Sequence, residues 1–356
     1  MVIRVQEHVS LRNRTTLKVG GTARYFVSVA SVPELAEAVS FAREKKLPLS
    51  MLGGGSNVLV SEGELDMVVI KNEIRGSEWG AENQFPKEKD AVLVTVGAGE
   101  SWDALVAESV RRGLWGIENL SGIPGTVGAA PIQNIGAYGV ELQDVLQWVE
   151  ALDAKTGKLR CLSNRECFFG YRDSIFKTPK GKDLIITRVA LRLSKNGKPH
   201  LEYKDLREKF PIPNSQFPIQ NLTPTDIRKA VLEIRSRKFP DLREYGTAGS
   251  FFKNPIISQR QFDTLKKRYP DLPGFELRMK DEGLRMKIPL AWILDHICGL
   301  KGFKKGAVTL FERQPIVLTA MPGATAEEIK KFAEEVIRRV HAKTGIAVEY
   351  EVIHIS

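Results

Sequence analysis

The sequence predicts a mixed α+β protein built in three segments. Strand and helix patterns alternate over residues 24–113, a glycine-dense stretch occupies 118–142, and the last third mixes helices with hairpin-like strands. At 356 residues the chain is long enough for two or three domains.

The first segment opens with strand rhythm in "RYFVSV" (24–29). "SVPELAEAVSFAREKK" (31–46) follows with a Ser31/Glu34 capping-box spacing, Pro33 near the first turn, and Leu35, Val39 and Ala42 on one helical face. "LSML" (49–52) reads as a short buried strand running into "GGGSN", and "DMVVIK" (66–71) as another. The polar tract 77–90 predicts an exposed loop and a first boundary. The second segment starts with a strand at 91–99 and a helix at 101–113 with Ser101 as cap and Gly113 as stop. Strands are predicted again at 148–154 and 184–193, then a helix opened by Thr223 and Pro224 that stops before Phe239. The third segment predicts helices near 258–268, 289–298 and 325–343, hairpin-like strands at 307–318 and a closing strand at 346–355.

Composition narrows the function. Hydrophobic content of 42% and charged content of 27% suit a soluble globular protein. The N-terminus has no apolar signal region and no run is long enough to span a membrane, so a cytoplasmic protein without membrane contact is expected. Cys161, Cys167 and Cys298 form neither a disulfide framework nor a thiolate metal site. Lys and Arg number 53 against 43 Asp and Glu, but they are dispersed among acids. That pattern favours phosphate-bearing small ligands over nucleic acid. Nothing in the sequence suggests an obligate dimer, and a monomer is expected.

Several stretches could carry chemistry. "GGGSN" (Gly53, Gly54, Gly55, Ser56, Asn57) follows a strand, and its amides could approach an anion closely; a tight turn is the plain alternative. It is neither a Walker loop nor a Rossmann fingerprint. Residues 121–139 hold five glycines and two prolines among apolar residues, which excludes a stable helix or central strand. A buried irregular segment must satisfy its backbone polar groups, and a flat cofactor lying along it would do so; a structural loop is the alternative. "GYRDSIFK" (170–177) places Arg172 among aromatics, suited to a carboxylate or phosphate or to an ion pair. Arg235, Arg237 and Lys238 at a helix end either complement its dipole or wall an anion site. On the closing strand Glu349 and Glu351 share one face, as a solvated edge or as a catalytic carboxylate. "GTAGSFFKNP" (246–255) sets Ser250 between Gly249 and two phenylalanines.

In this order, "GGGSN", "ENLSGIPGTVGAAPIQNIGAYGVEL", "GYRDSIFK", "GTAGSFFKNP" and "VEYEV" resemble the UDP-N-acetylenolpyruvoylglucosamine reductases (MurB). The likeness runs from about Asn13 to the C-terminus, and the uninterrupted "GAYGVE" with "LEYKDL" resembles the type I branch. Leu17 stands where that family often has phenylalanine, the tract 77–90 is longer than expected, and residues 269–289 match loosely.

The resemblance implies a three-domain α+β fold. Two parts form an FAD-binding module of the vanillyl-alcohol-oxidase (PCMH) type, residues 1–76 joined by the closing strand 344–356, and residues 77–238. Residues 239–343 form a substrate-binding domain. It implies that NADPH reduces non-covalently bound FAD, and that flavin N5 then passes hydride to UDP-N-acetylglucosamine enolpyruvate, giving UDP-N-acetylmuramate. By matching position, Ser250 is the proton donor, with Arg172 and Glu351 stabilising the enolate-like species. FAD would be held by Gly53 to Asn57, by Ser121, Gly122, Ile123, Pro124, Gly125, Gly128 and Gly136, and by Arg235. Tyr203, Lys238, Asn254 and Gln314 match positions that hold the sugar, diphosphate or carboxylate, and Tyr138 the loop tyrosine that closes on the nucleotide. Two rival readings are a flavoprotein of the same superfamily with another substrate, which has no use for Ser250, Arg172 and Glu351, and a non-catalytic basic binding protein, which needs a clustered basic face. A flavin-binding homologue without turnover is a third, and the retained acid, arginine and glutamate speak against it.

Overall fold

The computed structural model describes residues 3–80, 90–211, 221–279 and 283–356. The chain divides into two compact units: Met1–Val9, Ala23–Gly55 and Asp66–Ser236 in the first, and Ser10–Thr22, Ser56–Leu65 and Arg237–Ser356 in the second.

The first unit is built on two sheets. A four-stranded sheet has the order Val5–Ser10, Thr22–Val29, Glu64–Asn72, Leu49–Leu52. The helix Val32–Glu44 packs on it through Leu35, Ala38, Val39 and Ala42, and the Ser31 side chain accepts from the Glu34 N–H as the capping pattern requires. The second sheet is antiparallel, in the order Leu159–Ser163, Leu146–Asp153, Leu184–Ser194, Ala91–Gly97, Ser77–Trp79. Ser77–Trp79 corrects the expected loop at its start. Polar side chains hid a short edge strand, which pairs Ser77 to Val96 and Trp79 to Val94. Residues 81–89 of that tract lie outside the described residues. The helix Trp102–Arg111 is capped by Ser101 and buries Trp102, whose indole donates to Leu120 O at 3.1 Å. Beyond it, 118–142 is made of short 3-10 turns and a two-residue hairpin pairing Gly136–Ala137 with Val140–Glu141, with no long helix or strand.

The second unit gathers its core around Phe251, Phe252, Phe332 and the apolar face of the helix Ala326–Thr344. That helix starts with a reciprocal Thr325/Glu328 capping box and stops at Gly345, which takes a φ of 68°. The predicted helix at 289–298 is Leu290–Trp292 continued by a π-turn, Ile293–Ile297. The closing strand is shorter than expected. Only Ile353–Ile355 forms a ladder, parallel to Val58–Val60. Tyr350 instead bridges Phe252, so the segment changes partner at Glu351 and Val352.

Phe332 is 1% exposed and stacks on Phe303 at 5.2 Å between ring centroids. Phe332→Ala should lower unfolding free energy by about 3–5 kcal/mol in urea titration. A loss below about 1 kcal/mol would contradict this packing.

Candidate active site

A glycine-rich cradle lies in the first unit. Leu49–Leu52 runs into Gly53–Gly55, and Gly55 takes a φ of 65°. A methyl group on Gly54 would lie 2.6 Å from Gly125 Cα, and one on Gly53 2.7 Å from Thr126 Oγ1. Only bare backbone reaches such separations. Lys71 donates its ammonium to the Gly53 carbonyl. On the facing segment Gly122 and Gly125 hold φ of 71° and 124°, and a methyl on Gly128 would meet Ala98 Cβ at 2.5 Å. The N–H groups of Val127 and Gly128 are taken up by Glu100 O and Ala98 O. Among the described residues, those of Gly54, Ile123, Gly125 and Thr126 have no hydrogen-bond partner. Half-buried, unpaired amides on loops stripped of side chains are built to receive a polar, anionic group. Ser121 turns its hydroxyl onto Glu118 O at 2.6 Å, so it shapes the loop from within.

Charged residues brace this cradle. Asp103, in the first turn of its helix, accepts the Gly122 N–H at 2.6 Å and a two-pronged pair from Arg228 at 2.6 and 2.9 Å. Burial pushes the Asp103 carboxyl up, but the Arg228 and Gly122 hydrogen bonds outweigh it and hold the group below the usual carboxylate range. Arg235 lies against Gly122, within 3.1 Å of where a side chain there would start. Burial draws its guanidinium below the ordinary value, opposed by Tyr138 and Asp103.

Among the non-glycine residues of the same unit that hold left-handed backbone are two of the predicted site residues. Tyr138 has φ of 51° and Arg172 of 53°, a conformation that costs about 1–2 kcal/mol for a residue with a Cβ. Arg172 Nη2 donates to Gly136 O at 2.7 Å, and its guanidinium lies 5.3 Å from the Tyr171 ring centroid. Arg172 therefore touches the end of the glycine segment. Tyr138 is buried, its phenol pushed up to about 12 chiefly by that burial. Its ring meets Tyr203 edge-on at 5.2 Å. Tyr203 is the outward partner, 42% exposed.

The second unit carries the serine. Gly249 holds a φ of 72° with open space where a side chain would begin, so the backbone angle alone calls for glycine. Its N–H donates to Thr247 Oγ1, and Thr247 is pinned in turn to Leu318 O and Thr16 O. Ser250 bridges Val317, the Phe251 N–H donates to Ile316 O, and the Glu351 N–H donates to Phe251 O at 3.0 Å. Ser250 is thus fixed on an extended segment with Glu351 on its neighbour. Phe251 and Phe252 are wholly buried and pack on each other and on Tyr350. The two glutamates part company here. Glu349 is exposed and pairs with Lys253 at 2.9 Å, whereas Glu351 is half-buried and its carbonyl accepts from Asn57 Nδ2 at 3.1 Å.

Asn254 Oδ1 accepts the Leu290 N–H at 2.9 Å, which leaves its Nδ2 as the donor for other work. Gln314 sits in the turn before Ile316, and Lys238 ends the helix Pro224–Lys238. The predicted residues therefore fall in two groups. Gly53–Gly55, Ser121–Gly128, Gly136, Tyr138, Arg172, Tyr203 and Arg235 are in the first unit, and Ser56, Asn57, Lys238, Ser250, Asn254, Gln314 and Glu351 in the second. Asp103, Arg228 and Asn119 were not anticipated.

A family described as "FAD binding domain" matches residues 23–163, and one described as "UDP-N-acetylenolpyruvoylglucosamine reductase, C-terminal domain" matches 241–355. The UDP-N-acetylenolpyruvoylglucosamine reductase of Pseudomonas aeruginosa is 39% identical over 351 residues, 99% of each chain. That of Bdellovibrio bacteriovorus is 40% identical over the same length and coverage. The chain belongs to the UDP-N-acetylenolpyruvoylglucosamine reductase family. A solved reductase (MurB) of Thermus caldophilus superposes over 100% of both chains with a TM-score of 0.66 and 25% identity. The FAD-binding match covers the glycine cradle, and the cradle's unpaired amides, bare backbone and adjoining Arg235 fit a pyrophosphate-bearing cofactor.

Asp103→Asn keeps the shape but weakens the hold on Gly122, so FAD binding to apoprotein, followed by flavin fluorescence, should weaken about tenfold or more. Because the folded-state value of Asp103 is depressed, its contribution is complete above the ordinary carboxylate range and is lost only as pH falls through the folded value, beneath that range. Unchanged affinity in the variant, or loss of FAD on raising the pH from 5 to 8, would contradict the bracing role.

Proposed function

We propose that this chain reduces UDP-N-acetylglucosamine enolpyruvate to UDP-N-acetylmuramate with NADPH as electron donor and non-covalent FAD, a step of peptidoglycan precursor synthesis. FAD, held by Gly53 to Asn57, Ser121 to Gly125, Gly128, Gly136 and Arg235, would supply the hydride-transfer chemistry between NADPH and the enolpyruvyl methylene carbon. The observation that carries the reading is the clamped segment at Ser250, where hydrogen bonds on both sides fix a hydroxyl one strand away from Glu351.

Hydride addition leaves negative charge on the carbon next to the carboxylate. That carbon needs one proton, delivered to one face, before water supplies it. Ser250 donates the proton, and the buried phenylalanines behind it keep solvent away. Arg172 binds the substrate carboxylate, which its strained backbone and its tie to Gly136 hold it ready to do, and Glu351 steadies the enolate-like species. Glu351 takes this role over Glu349 because Glu349 is exposed at the surface beside Lys253, whereas Glu351 is half-buried. Tyr203, Lys238, Asn254 and Gln314 hold the sugar, diphosphate or carboxylate, with Tyr138 backing Tyr203.

The two sheets of the first unit support a division into residues 1–76 and 77–238, with 239–343 as the substrate-binding part and 344–356 returning to Val58–Val60. No helix among the described residues is long and apolar enough to cross a membrane. We assign the protein to the cytoplasm as a monomer acting on small molecules, since its basic residues form no block for a nucleic acid.

Ser250→Ala separates the half-reactions. Bleaching of the flavin band by NADPH should keep its rate within a few-fold, while its return with the enolpyruvyl substrate slows by about a thousandfold or more, the upper range of general acid catalysis. Equal losses in both halves would make Ser250 a structural residue.

A further inference from the structure

Asn119 stands two residues before Ser121 and is fully buried. Its Nδ2 donates to two backbone carbonyls, Tyr138 O at 2.9 Å and His200 O at 2.9 Å. Its Oδ1 has no hydrogen-bond partner among the described residues. Both neighbours are acceptors, so the nitrogen must face them and the oxygen carries the desolvation cost of a buried polar atom left unpaired. Leucine has nearly the same shape and would remove the unpaired oxygen, but it would leave both carbonyls without their donor.

What the amide adds is a tie between two distant segments. One is the left-handed turn at Tyr138, and the other is the stretch from His200 to Tyr203. A second link lies close by, His200 Nε2 to Gly139 O at 2.9 Å. Where the segments meet, the rings of Tyr138 and Tyr203 pack at 80°. We propose that Asn119 is a positioning residue that sets the placement of Tyr138 and Tyr203, and through them the affinity for the sugar-nucleotide part of the substrate. This rests on the roles proposed above for the two tyrosines.

The test uses intact holoenzyme of Asn119→Leu, with Asn119→Ala as a second variant should the first not fold. Substrate affinity is read from the perturbation of the flavin spectrum when the enolpyruvyl sugar nucleotide is added without NADPH, alongside Tm and FAD content. Loss of two hydrogen bonds should weaken substrate binding about tenfold or more in holoenzyme that keeps its FAD content. A fall in Tm and FAD content with unaltered affinity in the remaining holoenzyme would make Asn119 a packing residue and overturn the proposal. Unaltered affinity beside weakened binding in Tyr203→Phe would also overturn it while leaving the tyrosine roles intact. Unaltered affinity in Tyr203→Phe and Tyr138→Phe as well would overturn both.

Discussion

The approach of the Gly54 backbone to that of Gly125 is the constraint on which the cofactor half depends. A single Cβ at Gly54 would intrude to 2.6 Å of Gly125 Cα, and no rotamer change relieves a clash with main chain. The close approach leaves amides of both loops half-buried and unpaired. Such amides disfavour the apoprotein and favour any ligand that can accept from them. The Asp103 bridge makes the arrangement stiff, because one carboxylate holds Gly122 and Arg228 together. A cradle held by backbone shape and one partly buried ion pair relies little on long, flexible side chains, whose ordering would add an entropic cost to binding.

The serine half obeys a different rule. Ser250 has no fixed element of its own and is held by bridges to Val317 on one side and by the Phe251–Glu351 hydrogen bond on the other. The rings of Phe251, Phe252 and Tyr350 fill the space beneath. Apolar packing therefore fixes the position of Ser250, which is itself half-buried. A hydroxyl is a weak acid in water, and such a site is useful only where the charge it answers has just appeared on a neighbouring carbon.

Much of this was legible in the residues. Helices at Val32–Glu44 and Trp102–Arg111 announce themselves by Ser31 and Ser101, because caps are local chemistry. The irregularity of 118–142 follows from glycine and proline alone. The closing strand was overextended since alternation does not reveal that Tyr350 pairs with Phe252 while Ile353 pairs with Val58. Ser77–Trp79 was missed because an edge strand need not be apolar. The choice of Glu351 over Glu349 came from the family resemblance, and periodicity could not make it; the exposure of Glu349 beside Lys253 now gives a physical reason. Asn119 and Asp103 were invisible, since a polar residue's worth lies in partners far along the chain.

The visible spectrum during anaerobic addition of NADPH, followed by UDP-N-acetylglucosamine enolpyruvate, tests the central claim most directly. The account predicts a flavin band that bleaches with NADPH and returns with the sugar nucleotide. A band that bleaches and stays bleached would contradict the substrate, and no band even after FAD is supplied would contradict the cradle itself.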